Sequence, residues 1–387
     1  MILQAELWAR EGYLSTPDGN SIYFWGFAPN SVDGAQLPGP VLVAVEGEPA
    51  RIVLHNELNA HISLFLPGQG AVTANGLAAG PEFDSQGNLS SFATSVPPGG
   101  SIAYEFTAGQ PGTYLYQSGT DAFRQVLMGL YGGLVVRPSD YDPIANRTAY
   151  GAGTGTGFER EYLLITGEID PDMNLAVMEG RPFALSEFHP RYWTLNGRCA
   201  PDTMFPNRID YLPRQPYSSM IICEPGERVL MRYLGSGIAS HPLHPHGNHT
   251  RVVGEDGGLL SGSENDSSYH RFTVLTGPGQ SYDQIFSWEG LGYTPANPIP
   301  TLVPDRRNMG IGEPGWTMWS GSPYLGYQEE VPVGVTSFNQ KGEYYFMLHA
   351  HDEYKITNWG EFPGGMMTML GIYPSLPPEV GTLPPGS

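Results

Sequence analysis

Four of the chain's ten histidines, His241, His244, His246 and His249, fall within the segment SHPLHPHGNHT, Ser240 to Thr250. A second pair, His349 and His351, stands in YYFMLHAHDEYK. Neutral imidazole is the commonest side-chain ligand for copper, zinc and iron, because a ring nitrogen offers a lone pair without a net charge. In an extended strand, residues i and i+2 point to the same face. His244 with His246, and His349 with His351, therefore each aim two rings in one direction, and two such strands side by side bring four imidazoles to one point. The spacing predicts a metal centre on His244, His246, His349 and His351. The competing reading is a histidine-rich surface loop, and a single H-x-H pair would not exclude it.

The elements that must hold these rings are strands. Runs such as PVLVAV, RIVLH, GGLVVR, EYLLIT, RVLMRYL and YYFMLHAH are short, rich in β-branched and aromatic residues, and bounded by Gly, Pro or Asn. Almost no stretch keeps a helical period, and 51 glycines and 36 prolines punctuate the 387 residues. The fold class predicted is all-β. At this length two domains are expected. The segment NRTAYGAGTGTGFERE, from Asn146, is Gly/Thr-rich and reads as a linker or long surface loop; no strand feeds a helix there, which argues against a dinucleotide-binding turn. The boundaries predicted are a first domain at 1–145, a linker at 146–158 and a second domain at 159–375. A Pro/Gly-rich insertion at about 292–335 and a Pro-rich tail at 376–387 complete the division. Cys199 and Cys223 have a spacing that leaves pairing open.

With these residues in view the chain resembles the multicopper oxidases, whose domains are cupredoxin β-sandwiches. GPVLVAVEGEPARIVLHNELN resembles that family's opening strand pair, and SVPPGGSIAYEFTAGQPGTYLYQSG with GLYGGLVV the later strands of its first domain. YWTLNGRCAPDT, PGERVLMRYLG, HPLHPHGNHTRVVGEDGGLL and KGEYYFMLHAH with GGMMTML resemble its copper-binding last domain. The resemblance implies two cupredoxin-like Greek-key β-sandwich domains. It also implies His241 as a ligand of the thiolate-bound type 1 copper, and His244 and His246 as ligands of the trinuclear centre.

The departures from the family are specific. Where it carries H-W-H-G, this chain has FLPG, with Phe65 and Pro67 at the histidine positions; where it carries H-S-H, this chain has QSG, with Gln117 and Gly119. Ala350 replaces the type 1 cysteine and Lys355 the second type 1 histidine, leaving His241 and a methionine, Met366 or Met367. A type 1 site depends on its copper–thiolate bond, so it is not expected here. A trinuclear centre, with half its histidines gone, is not expected either. A homo-oligomer would not restore them, since every copy carries the same Phe65, Pro67, Gln117 and Gly119.

What remains is a mononuclear, type 2-like site, with copper as the expected metal and zinc as the alternative. Gln117, Asp352 or Glu353 would complete it through oxygen, His241 and His249 are candidates beside it, and Phe65 and Pro67 are expected to close its opposite wall at the junction of the two domains. His55, His189 and His270 have no partner by spacing and read as surface or loop histidines; His61 shares strand parity with Phe65, which leaves a place at the site open beside the solvent-facing role expected of it. A copper-dependent oxidoreductase other than a typical laccase stays open beside a non-catalytic cupredoxin scaffold acting as an extracellular structural or assembly subunit. A homo-oligomer or a different protein partner also stays open. The formal net charge of −20 argues against nucleic acid as a partner. No run approaches the roughly 20 apolar residues of a membrane helix. The resemblance implies an extracytoplasmic, periplasmic or secreted protein, although no signal peptide is legible in MILQAELWAREG.

Overall fold

The computed structural model describes residues 2–262, 265–288, 302–304, 317–318, 327–328, 336–338, 344–373, 376, 381 and 383. Most of the expected insertion at 292–335 and of the tail lies outside them. The described chain is mostly strand. The first half forms a six-stranded sheet in the spatial order Ser21–Ala28, Leu3–Ser15, Pro49–Asn56, Ser101–Thr107, Thr73–Ala74, Leu77–Ala78. A three-stranded sheet of Gly112–Gln117, Tyr131–Arg137 and Leu42–Val45 faces it. The second half repeats the plan with larger sheets. One runs Tyr192–Leu195, Arg160–Ile169, Arg228–Gly235, Ser281–Ser287, Thr250–Glu255, Gly258–Leu259, with Tyr269–Arg271 also paired to Thr250–Glu255. The other runs Ile221–Cys223, Met367–Ile372, Tyr344–Ala350, His241–Pro245, Val274–Thr276.

The repeat extends to strand direction. In each half the opening strand pairs in parallel with a later one: Leu3–Ser15 with Pro49–Asn56, and Arg160–Ile169 with Arg228–Gly235. Each second sheet also holds one parallel pair among antiparallel ones. These mixed sheets, packed face to face, make two Greek-key sandwiches of the cupredoxin kind.

Alternation fixes which side chains enter each core. Along Pro49–Asn56 the residues Ala50, Ile52, Leu54 and Asn56 are buried and their neighbours are less so. Arg160–Ile169 breaks that rule, with nearly every residue buried. One face serves its own core through Leu164, and the other puts Leu163 and Ile165 against Leu115, Val135 and Phe24 of the first sandwich. A strand covered on both faces loses its polar–apolar alternation. Each such side chain removed from water contributes on the order of 1.5–3 kcal/mol.

The junction is also held by charge. Glu161, Arg232 and Asp283 are almost wholly buried. Glu161 accepts from Arg232 at 2.6 Å and from Arg137 of the first sandwich at 2.7 Å and 2.5 Å. Asp283 accepts from Arg232 at 3.0 Å, from Thr113 at 2.6 Å and from Tyr150 at 2.6 Å. Burial alone would raise the Glu161 pKa, but the two guanidinium groups more than reverse it and hold it at about 2.

Tyr150 belongs to the Gly/Thr-rich segment, which is packed rather than free. Ala149, Tyr150 and Phe158 are buried with Leu230 in a core cluster of their own. Composition pointed to a linker or long surface loop; its aromatic residues, which glycine counting overlooks, tie it down. Cys199 and Cys223 are both buried and unpaired. Burial raises both thiols far above their ordinary range, as expected of inert core residues.

Candidate metal centre

The two H-x-H pairs lie on neighbouring antiparallel strands, His241–Pro245 and Tyr344–Ala350, with His244 directly opposite His349. The ladder extends past both strand ends, through His246 N–H to the Met347 carbonyl at 2.8 Å and His351 N–H to the Pro242 carbonyl at 2.7 Å. All four rings consequently gather on one face. Ring centres are 5.2 Å apart for His244–His246, 5.0 Å for His244–His351 and 4.7 Å for His246–His349. They are 5.9 Å apart for His244–His349 and 5.7 Å for His349–His351. Two imidazoles sharing one ion at about 2.0–2.1 Å, at angles between square and tetrahedral, have centres about 4.5–5.2 Å apart. Three of the five separations fall in that interval and two exceed it.

The nitrogens do not yet surround a common point. His246 Nε2 lies 2.6 Å from His349 Nε2. That is a hydrogen bond, shorter than the roughly 2.9–3.3 Å between two nitrogens on one ion. Among the described residues no three His, Cys, Asp or Glu side chains stand in ligand geometry. The expectation of four convergent imidazoles is thus corrected in one respect: the rings are assembled, but an N–H···N bond closes the space between two of them.

The far sides of two rings are tethered. His244 Nδ1 donates to the Phe272 carbonyl at 2.9 Å, with Thr273 Oγ1 also at 2.9 Å. His349 Nδ1 donates to the Ala350 carbonyl at 2.8 Å. A backbone acceptor on one ring nitrogen leaves the other as a lone pair and fixes the ring, the arrangement that metal-binding histidines use. Because His349 Nε2 is then the acceptor, His246 carries the shared proton. Burial, followed by the neighbouring rings, lowers the His246 pKa to about 4. Burial also lowers those of His244 and His349, against the opposing pull of their carbonyls. These three rings are neutral at pH 7, the state that binds metal.

Other candidates sit elsewhere. The hydrogen bonds among the described residues place none of Gln117, Asp352 or Glu353 on these rings. Asp352 pairs with Lys355 at 3.3 Å, while Glu353 is exposed and only its charge is felt at His349. His249 lies against His270 and Phe272 rather than beside the four rings, so His270, which spacing left without a partner, has one. His55 stacks on Trp8 with ring centres 3.9 Å apart. His61 and His189 are exposed or nearly so.

Phe65 and Gln117 pair backbone to backbone at 2.8 Å and 3.1 Å. A Cβ on Gly119 would lie 3.1 Å from Phe65 and 3.2 Å from Phe92, and Phe92 packs on the Phe65 ring. Three positions that would carry ligands by family resemblance are therefore adjacent, filled by apolar and amide groups. Among the described residues Phe65 packs on Phe92 and pairs with Gln117, both of the first sandwich. The sheet that packs on the first sandwich is also the one without these histidines. Among the described residues the expected wall of Phe65 and Pro67 across the four rings is not formed, because the histidine-bearing sheet lies on the far side of the second sandwich.

His241 is wholly buried, with Nε2 3.3 Å from Glu168. Glu168 also accepts from the Ile238 and Ala239 amides at 2.5 Å and 2.9 Å. Lys355 donates to the Ser240 carbonyl at 2.6 Å and lies over the Trp193 ring at 5.3 Å, and that ring meets His241 edge-on. Ala350 is fully buried and offers no donor atom. This donor set does not fit a type 1 copper: the thiolate is missing and a fixed ammonium stands in the same neighbourhood. Glu168 and Trp193 carried no sequence signal, since neither lies in a histidine motif.

Two cupredoxin-type sandwiches, with a histidine cluster on the second, define the fold class. Residues 31–140 match the family profile described as multicopper oxidase. It is 26% identical to a putative laccase-5 of Oryza sativa subsp. japonica over 266 residues, which are 65% of this chain and 41% of the relative. The chain thus spans less than half the length of that curated relative. Among solved structures it resembles the multicopper oxidase mgLAC, with TM-score 0.62, 19% identity and coverage of 97% of this chain and 88% of that one. It also resembles the blue copper oxidase from Nitrosomonas europaea, with TM-score 0.61, 20% identity and coverage of 96% and 86%. At such identities these structures establish the fold. The family points to copper; none of the comparisons points to zinc. No helix among the described residues is long and apolar enough to cross a membrane.

Proposed function

We propose that the protein is a multicopper-oxidase-like, extracytoplasmic copper protein with one mononuclear centre on His244, His246, His349 and His351. In this reading it has neither a type 1 nor a complete trinuclear centre. One observation carries the reading: four imidazole rings stand together, three of their separations in the range of shared ligands, and two of them are held at Nδ1 by backbone carbonyls. Binding requires His246 to move its proton from Nε2 to Nδ1 and the His246–His349 contact to open by a few tenths of an ångström. Copper bound there would supply a Lewis-acid and one-electron centre. The protein's own part is to hold the rings neutral, to orient them through the Phe272 and Ala350 carbonyls, and to leave the exposed side at His351 open.

The test is copper loading followed by elemental analysis and electron paramagnetic resonance. The expected result is an axial signal with multiple-nitrogen coordination, whose four-ring component His349→Ala removes. Protein that takes up no copper with multiple-nitrogen coordination would refute the reading.

A second reading, a non-catalytic cupredoxin scaffold, draws on a different observation. The type 1 neighbourhood is rebuilt around Lys355, Glu168 and Trp193, and the first-sandwich positions are filled by Phe65 and Phe92. Both regions are finished structures, as expected of a chain selected for folding and assembly. A copper-free protein from its native source would favour this reading.

A further inference from the structure

His249 directly precedes the strand Thr250–Glu255, and His270 is the middle residue of Tyr269–Arg271. The two segments are antiparallel neighbours, with Thr250 opposite Arg271 and Arg251 opposite His270. The cross-strand diagonal brings the two imidazoles to a centre separation of 5.0 Å at an interplanar angle of 72°. Both residues are exposed. Their separation lies within the interval of about 4.5–5.2 Å for two imidazoles on one ion.

The chemistry around the pair is permissive. Among the described residues neither ring makes a hydrogen bond, in contrast to His244 and His349, so both have nitrogen lone pairs free for a ligand. The neighbouring cations are occupied elsewhere. Arg251 binds Ser268, Ser261 and Asp266, and Arg271 lies over the Tyr269 ring at 5.0 Å. Phe272 flanks His249 with ring centres 5.5 Å apart, while its carbonyl holds His244. The pair is therefore a neighbour of the four-ring cluster and separate from it.

We infer that His249 and His270 form a second, solvent-open site for a divalent first-row transition metal, best suited to copper(II). Two imidazoles from one rigid ladder supply adjacent ligands, and water fills the remaining positions of the tetragonal shell that copper(II) prefers. The inference does not depend on the four-ring centre.

The test uses copper(II) alone, with equilibrium dialysis and electron paramagnetic resonance on the wild type and on His270→Ala, His249→Ala and His349→Ala. The wild type is expected to hold two ions. His270→Ala and His249→Ala should each lose one and keep the signal of the other, with unchanged melting of the metal-free protein. His349→Ala should lose the complementary ion. Unchanged copper stoichiometry and spectrum in His270→Ala and His249→Ala would overturn the inference. Copper lost only on removing His270 or His249, and unaffected by His349→Ala, would instead sustain it and refute the four-ring centre.

Discussion

His246 and His349 meet nitrogen to nitrogen at 2.6 Å across residues that are 103 positions apart in the chain. The proton between them holds the two rings together, and it is the group that an ion bound as proposed would displace.

The first prediction concerns those rings. His349→Ala and His246→Ala should each weaken copper binding at the four-ring centre by tenfold or more, about 1.4 kcal/mol per decade. Isothermal titration with copper(II) measures it. An unchanged affinity in both variants would sink the assignment.

Competition from protons follows from the lowered pKa of His246, about 4, and the downward shifts of His244 and His349. A lowered pKa keeps the neutral, binding form present below the ordinary imidazole value of about 6.5. Copper affinity should stay nearly flat between about pH 8 and 6.5 and fall in more acidic solution. A steep fall already between pH 8 and 7 would contradict the shifts.

Copper-loaded protein should show no intense blue thiolate band, because Ala350 stands where a cysteine would be needed. Ala350→Cys alone should leave it absent, since Lys355 and Glu168 keep the neighbourhood closed to a type 1 ion. Visible absorption spectra of both proteins decide the matter.

The buried charges at the junction make a stability prediction. Arg232→Ala should destabilise the fold by about 3–5 kcal/mol, because it strips Glu161 and Asp283 of a buried partner. Urea unfolding measures this, and a loss below about 1 kcal/mol would show that the pair is dispensable.

Acid should act through Glu161. Its folded pKa of about 2 lies below the ordinary carboxylate value, so its contribution is fully present above that ordinary value. Stability should decline as pH falls from about 4.5 toward 2. In Arg137→Ala/Arg232→Ala, where the carboxylate has lost both cations, that part of the decline should shrink; an identical acid profile would argue against it.

Much of this was legible in the residues. Strand content follows from short β-branched runs between Gly and Pro, because those runs fit a pleated surface whatever lies beyond them. The orientation of each H-x-H pair follows from alternation, which is a property of two neighbouring residues. That Ala350 carries no thiolate and Phe65, Pro67, Gln117 and Gly119 no imidazole is a matter of residue type alone. Tertiary structure decided which strands lie together and in what register. It set His244 opposite His349, matched His249 with His270, and placed Glu168 beside His241 across 73 residues. It also turned the histidine-bearing sheet away from the first sandwich, leaving Phe65 against Phe92 and anchoring the Gly/Thr-rich segment through Tyr150. The physical reason is range. Alternation and propensity act between residues near in sequence, whereas register and packing arise from the summed burial and hydrogen bonding of strands brought together from distant parts of the chain.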